Sequence, residues 1–498
     1  MRTKLLAPLD LAFWHLESPD HPMHLGALAY FAPPEPGDTG ASAPGAASLG
    51  ASGAYGESVS GARATGTAVL GASTPRSEEI LALLATRASA IPRLRMRVRD
   101  VLLPVGGAAW TADHDFDVRR HLRRVRLPAG DFAASAATLA GELMERPLER
   151  GLPPWEMYLL TGGSGDPFAV LVKLHHALAD GMRAVAIGAG IFDEIAGPLA
   201  ERARRYGRSP SALPPRSRPP GPWQVAGLAR GRIEELGRAF GVGASLVGAS
   251  LARAGRLDPR GTAALSASSS GTRRLATSVL GLDAVHEVRR VAGGTANDVL
   301  LATVAGALRR WMTGRGDTLP PTDPRALVPV SRRRPGSPAG SGNKLSAYLL
   351  DLPVTEPDPW ARLYAVRAGM DRNKSAGPLR GAGAVAVLAD QLPPLAHRFG
   401  APLAGSAARM LFDLLATSVP LPRSALSLGG CPLREIYPMA PLARGQSLAV
   451  AMSTYGGRVH FGLVADGKAL PDVDRLARAV EEELAGLREL VRRGAWPQ

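Results

Sequence analysis

Hydrophobic and polar positions follow two different periods along the chain, and together these predict a mixture of helices and strands. Apolar residues recur every three to four positions, the spacing of an amphipathic helix, in several segments. These predicted helices are 10–16, a segment that begins at Ser77, 133–144, 182–195, 297–312 and 473–492. Shorter apolar or alternating segments predict strands at 25–31, 94–103, 168–174, 326–329, 345–352, 447–455 and 458–464. Since helices and strands alternate in both halves, the chain is predicted to be α/β or mixed α+β.

Three stretches without this regularity predict the domain organisation. Residues 33–76 are rich in Gly, Ala, Ser and Pro, which predicts a flexible surface insertion. Residues 207–222 carry many Pro, Ser and Arg residues and are typical of a linker. Residues 223–256 are amphipathic and helical, so they either pack between domains or lie at a membrane interface. The predicted units are an N-terminal domain at 1–200, a linker with this helix at 201–272 and a C-terminal domain at 273–498.

Length and charge narrow the classes of function. A chain of 498 residues is too long for one ordinary core and fits two domains. The formal net charge of +15 comes almost entirely from Arg, because Lys occurs only at positions 4, 173, 344, 374 and 468. A cationic surface attracts anionic lipid headgroups and phosphorylated ligands. A nucleic-acid partner is not expected, because no nucleic-acid-binding motif is present and aromatic residues make up only 5%.

The sequence carries no signal for secretion or membrane insertion. The one cysteine, Cys431, cannot form an intramolecular disulfide, which fits a reducing cytoplasm. The basic start at 1–4 is followed by an apolar run that Pro8 and Asp10 interrupt, unlike a signal peptide. No stretch approaches the roughly 18 uninterrupted apolar residues of a spanning helix. We therefore expect a cytoplasmic protein that can lie on a membrane but does not cross it.

The most informative segment is 175–181, with the sequence HHALADG. It follows the predicted buried strand 168–174, and successive side chains of a strand face opposite sides. Only one of His175 and His176 can therefore face a given cleft. Asp180 can cap the next helix or pair with a basic group, and Gly181 permits a sharp turn and a close backbone approach.

This arrangement indicates acid–base chemistry. An imidazole titrates near neutrality, so it can take a proton from an alcohol that attacks a thioester and return it to the leaving thiolate. No Ser or Cys lies in the strand–turn–helix context of a protein nucleophile. Adjacent strand histidines point apart and no third ligand is spaced nearby, so we expect no metal site. A histidine at a strand end can also be purely structural, and that interpretation stays open at this point.

Segment 175–181 resembles the H-H-x-x-x-D-G signature of the chloramphenicol acetyltransferase-like, CoA-dependent acyltransferases. Other segments resemble one branch of that superfamily, the bacterial wax ester synthase/diacylglycerol acyltransferases. These are PLD at 8–10, PMHLG at 22–26, PLER at 147–150, PWE at 154–156, NDVLLA at 297–302, PVS at 329–331 and GN at 342–343. The resemblance covers nearly the whole chain except 33–76 and much of 200–265.

The resemblance implies two similar subdomains with a tunnel between them. His176 would be the general base that faces the tunnel, and His175 would support it. Asp180 would be structural and hold the loop through an Arg contact, and Gly181 would leave room for substrate. In the second subdomain, Asn297 and Asp298 would bind substrate close to the reaction centre. From the residues alone, a helix-start role for Asn297 is equally open.

The resemblance also implies the substrates. The donor would be a long-chain acyl-CoA and the acceptor diacylglycerol or a fatty alcohol, with triacylglycerol or wax ester and free CoA as products. No metal or bound cofactor would be required. The protein would associate peripherally with the inner face of the membrane or with lipid bodies.

The chain departs from the family pattern at a few positions. The late motif T-N-V-P-G-P is TSVPLP at 417–422, which changes a turn that helps to shape the site. Glu149 replaces an Asp and Pro154 replaces a Leu. Two other functions are compatible with the fold, a condensation-type acyltransferase with a carrier-bound donor and a non-catalytic protein that binds lipid bodies. The motifs at 22–26 and 297–302 weigh against the first, and an intact His176 weighs against the second.

Overall fold

The computed structural model describes residues 4–33, 75–163, 167–195, 264–265, 267, 269–331, 345–376, 394–395, 397–399 and 411–495. Their helices are α1 Pro8–Leu16, α2 Pro75–Ala90, α3 Phe132–Glu145, α4 Gly181–Ile191, α5 Leu282–Ala292, α6 Ala296–Gly314, α7 Pro359–Ala376 and α8 Val473–Arg492. The strands of the first half are β1 Lys4–Leu5, β2 His24–Phe31, β3 Met96–Asp100, β4 Ala108–Ala112, β5 Leu122–Arg126, β6 Trp155–Thr161, β7 Phe168–His175 and β8 Asp193–Ile195. Those of the second half are β9 Arg273–Gly281, β10 Arg325–Ser331, β11 Leu345–Asp351, β12 Leu414–Pro420, β13 Ala425–Leu428, β14 Cys431–Met439, β15 Leu448–Tyr455 and β16 Arg458–Asp466.

Two large sheets organise these elements. The first sheet has seven strands in the order β5-β6-β7-β2-β14-β13-β8, and the second has six in the order β11-β10-β12-β15-β16-β9. A small sheet, β1-β4-β3, adjoins the first half. The predicted mixed class with two sheet subdomains is confirmed.

The first sheet contains strands from both halves of the chain. β14 pairs with β2, with Ile436 opposite Ala29, and β13 pairs with β8. Residues 425–439 thus complete a sheet that is otherwise built from residues 24–195. The predicted domain boundary at 273 divides the sequence into two consecutive halves, but the first sheet contains strands from both of them.

The central strand β7 explains why its sequence is continuously apolar. Val170 belongs to the hydrophobic core on one face of the sheet and Leu171 to a different core on the other face, and both are fully buried. A strand buried on both faces has no polar alternation, unlike a strand with one face in water. The second of these cores includes Ala449 and Val464 of the second sheet, so it lies between the two sheets.

A glycine marks the closest approach of the two sheets. A Cβ on Gly462 of β16 would lie 2.0 Å from the carbonyl oxygen of Pro438 in β14, so no side chain fits at this position. Nearby, the Ser453 hydroxyl of β15 donates a hydrogen bond to the Ile436 carbonyl of β14 at 3.0 Å. The two sheets are therefore in direct contact along β14.

Some predicted elements differ from the structure. The predicted strand 94–103 is wrong at both ends, because Pro92–Arg95 form a 3-10 helix and the strand spans only Met96–Asp100. The predicted helix 182–195 ends at Ile191, since residues 193–195 pair with β13. The linker at 207–222, the amphipathic helix at 223–256, residues 34–74 of the predicted insertion and the GN motif at 342–343 lie outside the described residues.

No described helix is by itself long and apolar enough to cross a membrane. Helices α5 and α6 meet that test only together, and they are bent by 101° at the break between them.

Candidate active site

The two histidines of segment 175–181 lie where β7 ends, in the middle of the first sheet. His175 is the last residue of β7 and is directly opposite His24 of β2. The His176 backbone N–H donates a hydrogen bond to the Met23 carbonyl at 2.8 Å, so the pairing of the two chain segments continues one residue past the end of β7. Backbone pairing therefore sets the position of both residues, and side-chain contacts then orient their rings.

His176 lies at the wall of a cavity between the two sheets. Its ring stacks on Phe13 of α1, with the ring centroids 3.9 Å apart and the planes at 19°. Burial lowers the pKa of His176 to about 4, while the Asp180 carboxylate acts in the opposite direction. The imidazole is therefore neutral at pH 7, the state that accepts a proton.

His175 faces the other way and contacts a buried carboxylate. Its Nδ1 accepts a hydrogen bond from the Ala177 backbone N–H at 3.0 Å, and its Nε2 lies 3.3 Å from Glu17 Oε1. An accepting Nδ1 places the ring proton on Nε2, which faces Glu17. His175 is 1% exposed, so this contact fixes its tautomer and orientation in a dry environment.

Glu17 joins several segments at the back of the histidine pair. The same Oε1 lies 3.3 Å from His24 Nε2, and Oε2 accepts a hydrogen bond from Arg150 at 2.7 Å. Burial alone would raise the pKa of the Glu17 carboxyl, but the close contacts with His175 and His24 hold this pKa well below its usual range. The Arg150 guanidinium also lies over the Trp14 ring at 3.9 Å.

The segments at 22–26, 147–150 and 154–156 therefore converge on His175. His24 and Arg150 reach it through Glu17, and the Pro154 carbonyl accepts a hydrogen bond from the His175 backbone N–H at 3.0 Å. Segments that are far apart in the sequence share one structural task, which is to hold the end of β7.

The loop after the histidines is fixed by an arginine and a helix cap. Arg93 donates hydrogen bonds to the Leu178 carbonyl at 3.3 Å and to the Ala177 carbonyl at 3.4 Å. Asp180 is 2% exposed and caps α4, since its Oδ1 accepts from the Arg183 backbone N–H at 2.8 Å. The predicted capping role of Asp180 matches this contact.

The cavity at His176 has a volume of about 390 Å³ and is lined mainly by apolar side chains. Helix α4 lines one side with small residues, among them Ala184, Gly188 and Ala189. Gly181 also lines it, and a Cβ there would meet Val419 at an ordinary contact distance of 3.9 Å. Such an apolar space suits a hydrocarbon chain better than a polar ligand.

The second sheet supplies the opposite wall. Thr417, Ser418 and Ser453 give it a few hydroxyl groups, and the whole segment 417–422 lines the cavity. The departure from the family motif at 417–422 thus lies at the site itself.

Asn297 and Asp298 lie at the start of α6 in the second half. Asp298 forms a capping box with Thr295, and its Oδ1 lies 3.7 Å from Lys374 Nζ. Neither Asn297 nor Asp298 lines the cavity that contains His176. The helix-start role is thus observed for this pair, and its contact with substrate stays a prediction.

Three contributors to the site were missed at the level of sequence, namely Phe13, Glu17 and Arg93. Phe13 and Glu17 lie between the PLD and PMHLG motifs, so their position in that region was the available signal. Within the described part of the chain, no group of three or more His, Cys, Asp or Glu side chains could hold a metal ion. The expectation that no cofactor is required stays a prediction.

Comparison with known proteins identifies the family. The family description "Wax ester synthase/diacylglycerol acyltransferase catalytic domain" matches residues 6–300, and "WS/DGAT C-terminal domain" matches residues 341–488. A probable diacylglycerol O-acyltransferase of Mycobacterium tuberculosis strain H37Rv, tgs1, is 32% identical over 419 residues, which cover 82% of this chain and 87% of the relative.

Solved structures agree in fold. The wax ester synthase/diacylglycerol acyltransferase from Marinobacter aquaeolei VT8 covers 98% of this chain and 100% of its own, with a TM-score of 0.66 and 23% identity. The first condensation domain of the CDA synthetase covers 99% and 97%, with a TM-score of 0.56 and 15% identity. Because the catalytic-domain description covers more than half of the sequence, this chain belongs to the wax ester synthase/diacylglycerol acyltransferase family and is an acyltransferase.

Proposed function

We propose that the protein transfers a long-chain acyl group from acyl-CoA to diacylglycerol or a fatty alcohol, with His176 as the general base. The observation that carries this proposal is a neutral imidazole at the wall of an apolar cavity between two sheets. An apolar cavity accommodates the acyl chain, and a neutral imidazole accepts the proton of an attacking hydroxyl group.

The reaction requires no covalent intermediate on the protein. The acceptor hydroxyl gives its proton to His176 as its oxygen attacks the thioester carbonyl. The carbon–sulfur bond then breaks, and the leaving thiolate takes the proton back from His176. The products are an ester and free CoA, and His176 returns to its neutral form.

Burial makes His176 reluctant to hold a proton, because its pKa is about 4. The imidazolium is therefore short-lived and a ready acid towards the thiolate, which is a strong base by comparison. The Asp180 carboxylate partly offsets this effect, since it raises the pKa of His176. Asp180 thus has an electrostatic task in addition to capping α4.

The relatives support the acceptors. A mycobacterial relative is named for diacylglycerol and the Marinobacter structure for both wax ester and diacylglycerol chemistry. Diacylglycerol and long-chain alcohols are insoluble in water, so we propose that the protein works at the surface of a membrane or lipid body on the cytoplasmic side, without a metal or a bound cofactor.

The direct test measures thiol release from palmitoyl-CoA with dioleoylglycerol and with hexadecanol, and resolves the products by thin-layer chromatography. Wild-type protein is expected to form ester with at least one acceptor. His176→Ala is expected to lose turnover and keep its folding transition. His114→Ala is the matched control, because His114 is exposed and lies outside the cavity lining. Wild-type turnover in His176→Ala would overturn the assignment of the base.

A further inference from the structure

The turn between β3 and β4 exposes large apolar side chains in an unusual way. Leu102 is 90% exposed, Leu103 77% and Val105 55%. Turns in water normally carry small or polar residues, because exposed leucines gain nothing from folding. The side chains at the tip of this hairpin therefore suit an apolar environment better than water.

A second segment extends this surface. Leu395 is 44% exposed and Phe399 68%, and their segment contacts the hairpin at Gly106. A Cβ on Gly106 would lie 3.1 Å from the Leu395 Cα and 3.3 Å from the Arg398 Cβ. We call the five side chains of Leu102, Leu103, Val105, Leu395 and Phe399 the tip patch. Of the seven large apolar side chains that are exposed among the described residues, five belong to it.

Cationic side chains flank the tip patch. Arg99 precedes the hairpin tip and Arg398 lies between Leu395 and Phe399, and both are exposed. Lys4 is exposed on the adjoining strand β1, and Asp100 is the exposed acid at the tip. Apolar side chains that project from a basic rim match a lipid surface, where acyl chains lie beneath anionic headgroups.

Helix α1 connects the tip patch to the histidine pair. His15 Nε2 lies at 3.1 Å from the Gly106 carbonyl oxygen, so α1 holds the hairpin tip. Two residues away on the same helix, Phe13 stacks on His176, and Glu17, just after the helix, contacts His175. One short helix therefore touches both the tip and the candidate base.

We propose that the tip patch inserts into a lipid surface with anionic headgroups and so places the cavity where water-insoluble acceptors are taken up. The proposal rests on the proposed function for the identity of the acceptors, but lipid binding itself is independent of turnover. The flanking arginines draw the protein to the surface, and the leucines and Phe399 enter the acyl region.

The test measures sedimentation of the full-length protein with vesicles of phosphatidylcholine, with and without phosphatidylglycerol. Leu102→Ser/Leu103→Ser is expected to bind about ten-fold more weakly or worse, because the burial of even one leucine changes partitioning by at least that factor. Leu102→Ile/Leu103→Ile keeps the apolar surface and is expected to bind as wild type. Arg99→Ala/Arg398→Ala is expected to lose the preference for phosphatidylglycerol. Arg493→Ala is expected to keep it, because Arg493 is 70% exposed but lies at the end of α8, outside the tip patch and its flanking arginines.

Turnover separates this proposal from the proposed function. With octanoyl-CoA and hexanol in solution, the serine variant is expected to match wild type, while with dioleoylglycerol in vesicles its rate falls. Unchanged vesicle binding by the serine variant overturns the proposal that the tip patch binds lipid. If that variant instead changes from a dimer to a monomer while its vesicle binding stays the same, the tip patch is a contact between two copies of the chain. Vesicle binding that depends on the tip patch, in a protein that forms no ester, retains this proposal and rejects the proposed function.

Discussion

Replacement of Glu17 tests how the histidine pair is held. Glu17→Ala removes the carboxylate that faces the His175 and His24 Nε2 atoms, each of which lies 3.3 Å from Oε1. Each of these histidines is only 1% exposed, so both rings lie away from bulk water. The third partner, Arg150, has a side chain that is 52% exposed and can be hydrated, so its ion pair adds little.

The size of the effect follows from these burials. Removing the partner of a buried polar group costs about 1–3 kcal/mol, and since neither histidine contact has the geometry of a good hydrogen bond, we expect the low end for each, or roughly 2 kcal/mol in total for Glu17→Ala. Released from Glu17, the His175 ring no longer fixes the end of β7, and displacement of a catalytic group by about 1 Å can cost about 10²-fold in rate. Glu17→Gln keeps one oxygen that can accept from both histidines, so we expect a loss of only about 1 kcal/mol.

The measurements are urea unfolding followed by tryptophan fluorescence and thiol release from palmitoyl-CoA. The matched control is Glu149→Ala, because Glu149 is 65% exposed and its one ion pair among the described residues is with the exposed Arg120 at 3.3 Å, an interaction worth about 0–1 kcal/mol. If Glu17→Ala has the same urea midpoint and the same rate of thiol release as Glu149→Ala, the buried contacts of Glu17 do not stabilise the fold or the site, and the reasoning fails. If Glu17→Gln is as damaging as Glu17→Ala, the negative charge rather than hydrogen bonding is what the site needs.

Three further predictions concern the helix cap, the cavity and pH. Asp180→Ala and Asp131→Ala each remove one N-cap, so each is expected to lower the free energy of unfolding by about 1 kcal/mol. Asp180 also lines the cavity, so only Asp180→Ala is expected to lose turnover, and equal activities of the two variants contradict this. Ala189→Phe fills the cavity and is expected to lower kcat/KM for palmitoyl-CoA at least about ten-fold relative to a short acyl-CoA, and an unchanged chain-length profile speaks against the acyl site. Burial lowers the pKa of both His24 and His176 to about 4, so between pH 6.5 and pH 4 the unfolded chain takes up two protons that the folded protein does not. Each histidine is expected to lower the free energy of unfolding by about 3 kcal/mol over this range, and urea midpoints that stay constant contradict this.

Local patterns in the sequence were sufficient to predict those elements whose burial is visible in the pattern of their own residues. The strand at 168–174 and the helix at 473–492 were predicted within a residue or two, because the first is a continuous apolar run and the second keeps a helical period along its length. The end of α4 was not predictable, since Asp193–Ile195 form a strand only by pairing with β13, far along the chain. Propensity does not encode such distant partners.

The same distinction holds for the site. His176, Asp180 and Gly181 form one short segment, so their spacing alone was enough to indicate a candidate site. Glu17 did not stand out, because its partners His175 and Arg150 are far away in sequence and a glutamate after a helix is unremarkable. Side chains that act through distant contacts become visible only when the backbone brings them together.

The position of β14 in the first sheet sets the order in which the chain can fold during synthesis. β2 can pair with β7 once residue 175 has been made, but the other edge of β2 stays open until residues 431–439 have been made. An open edge is a template for wrong pairing, and contacts that close long loops form slowly. The early half of the chain, which already contains His175 and His176, thus reaches its final structure only after most of the late half has emerged, and truncation before residue 431 leaves a sheet that cannot be completed.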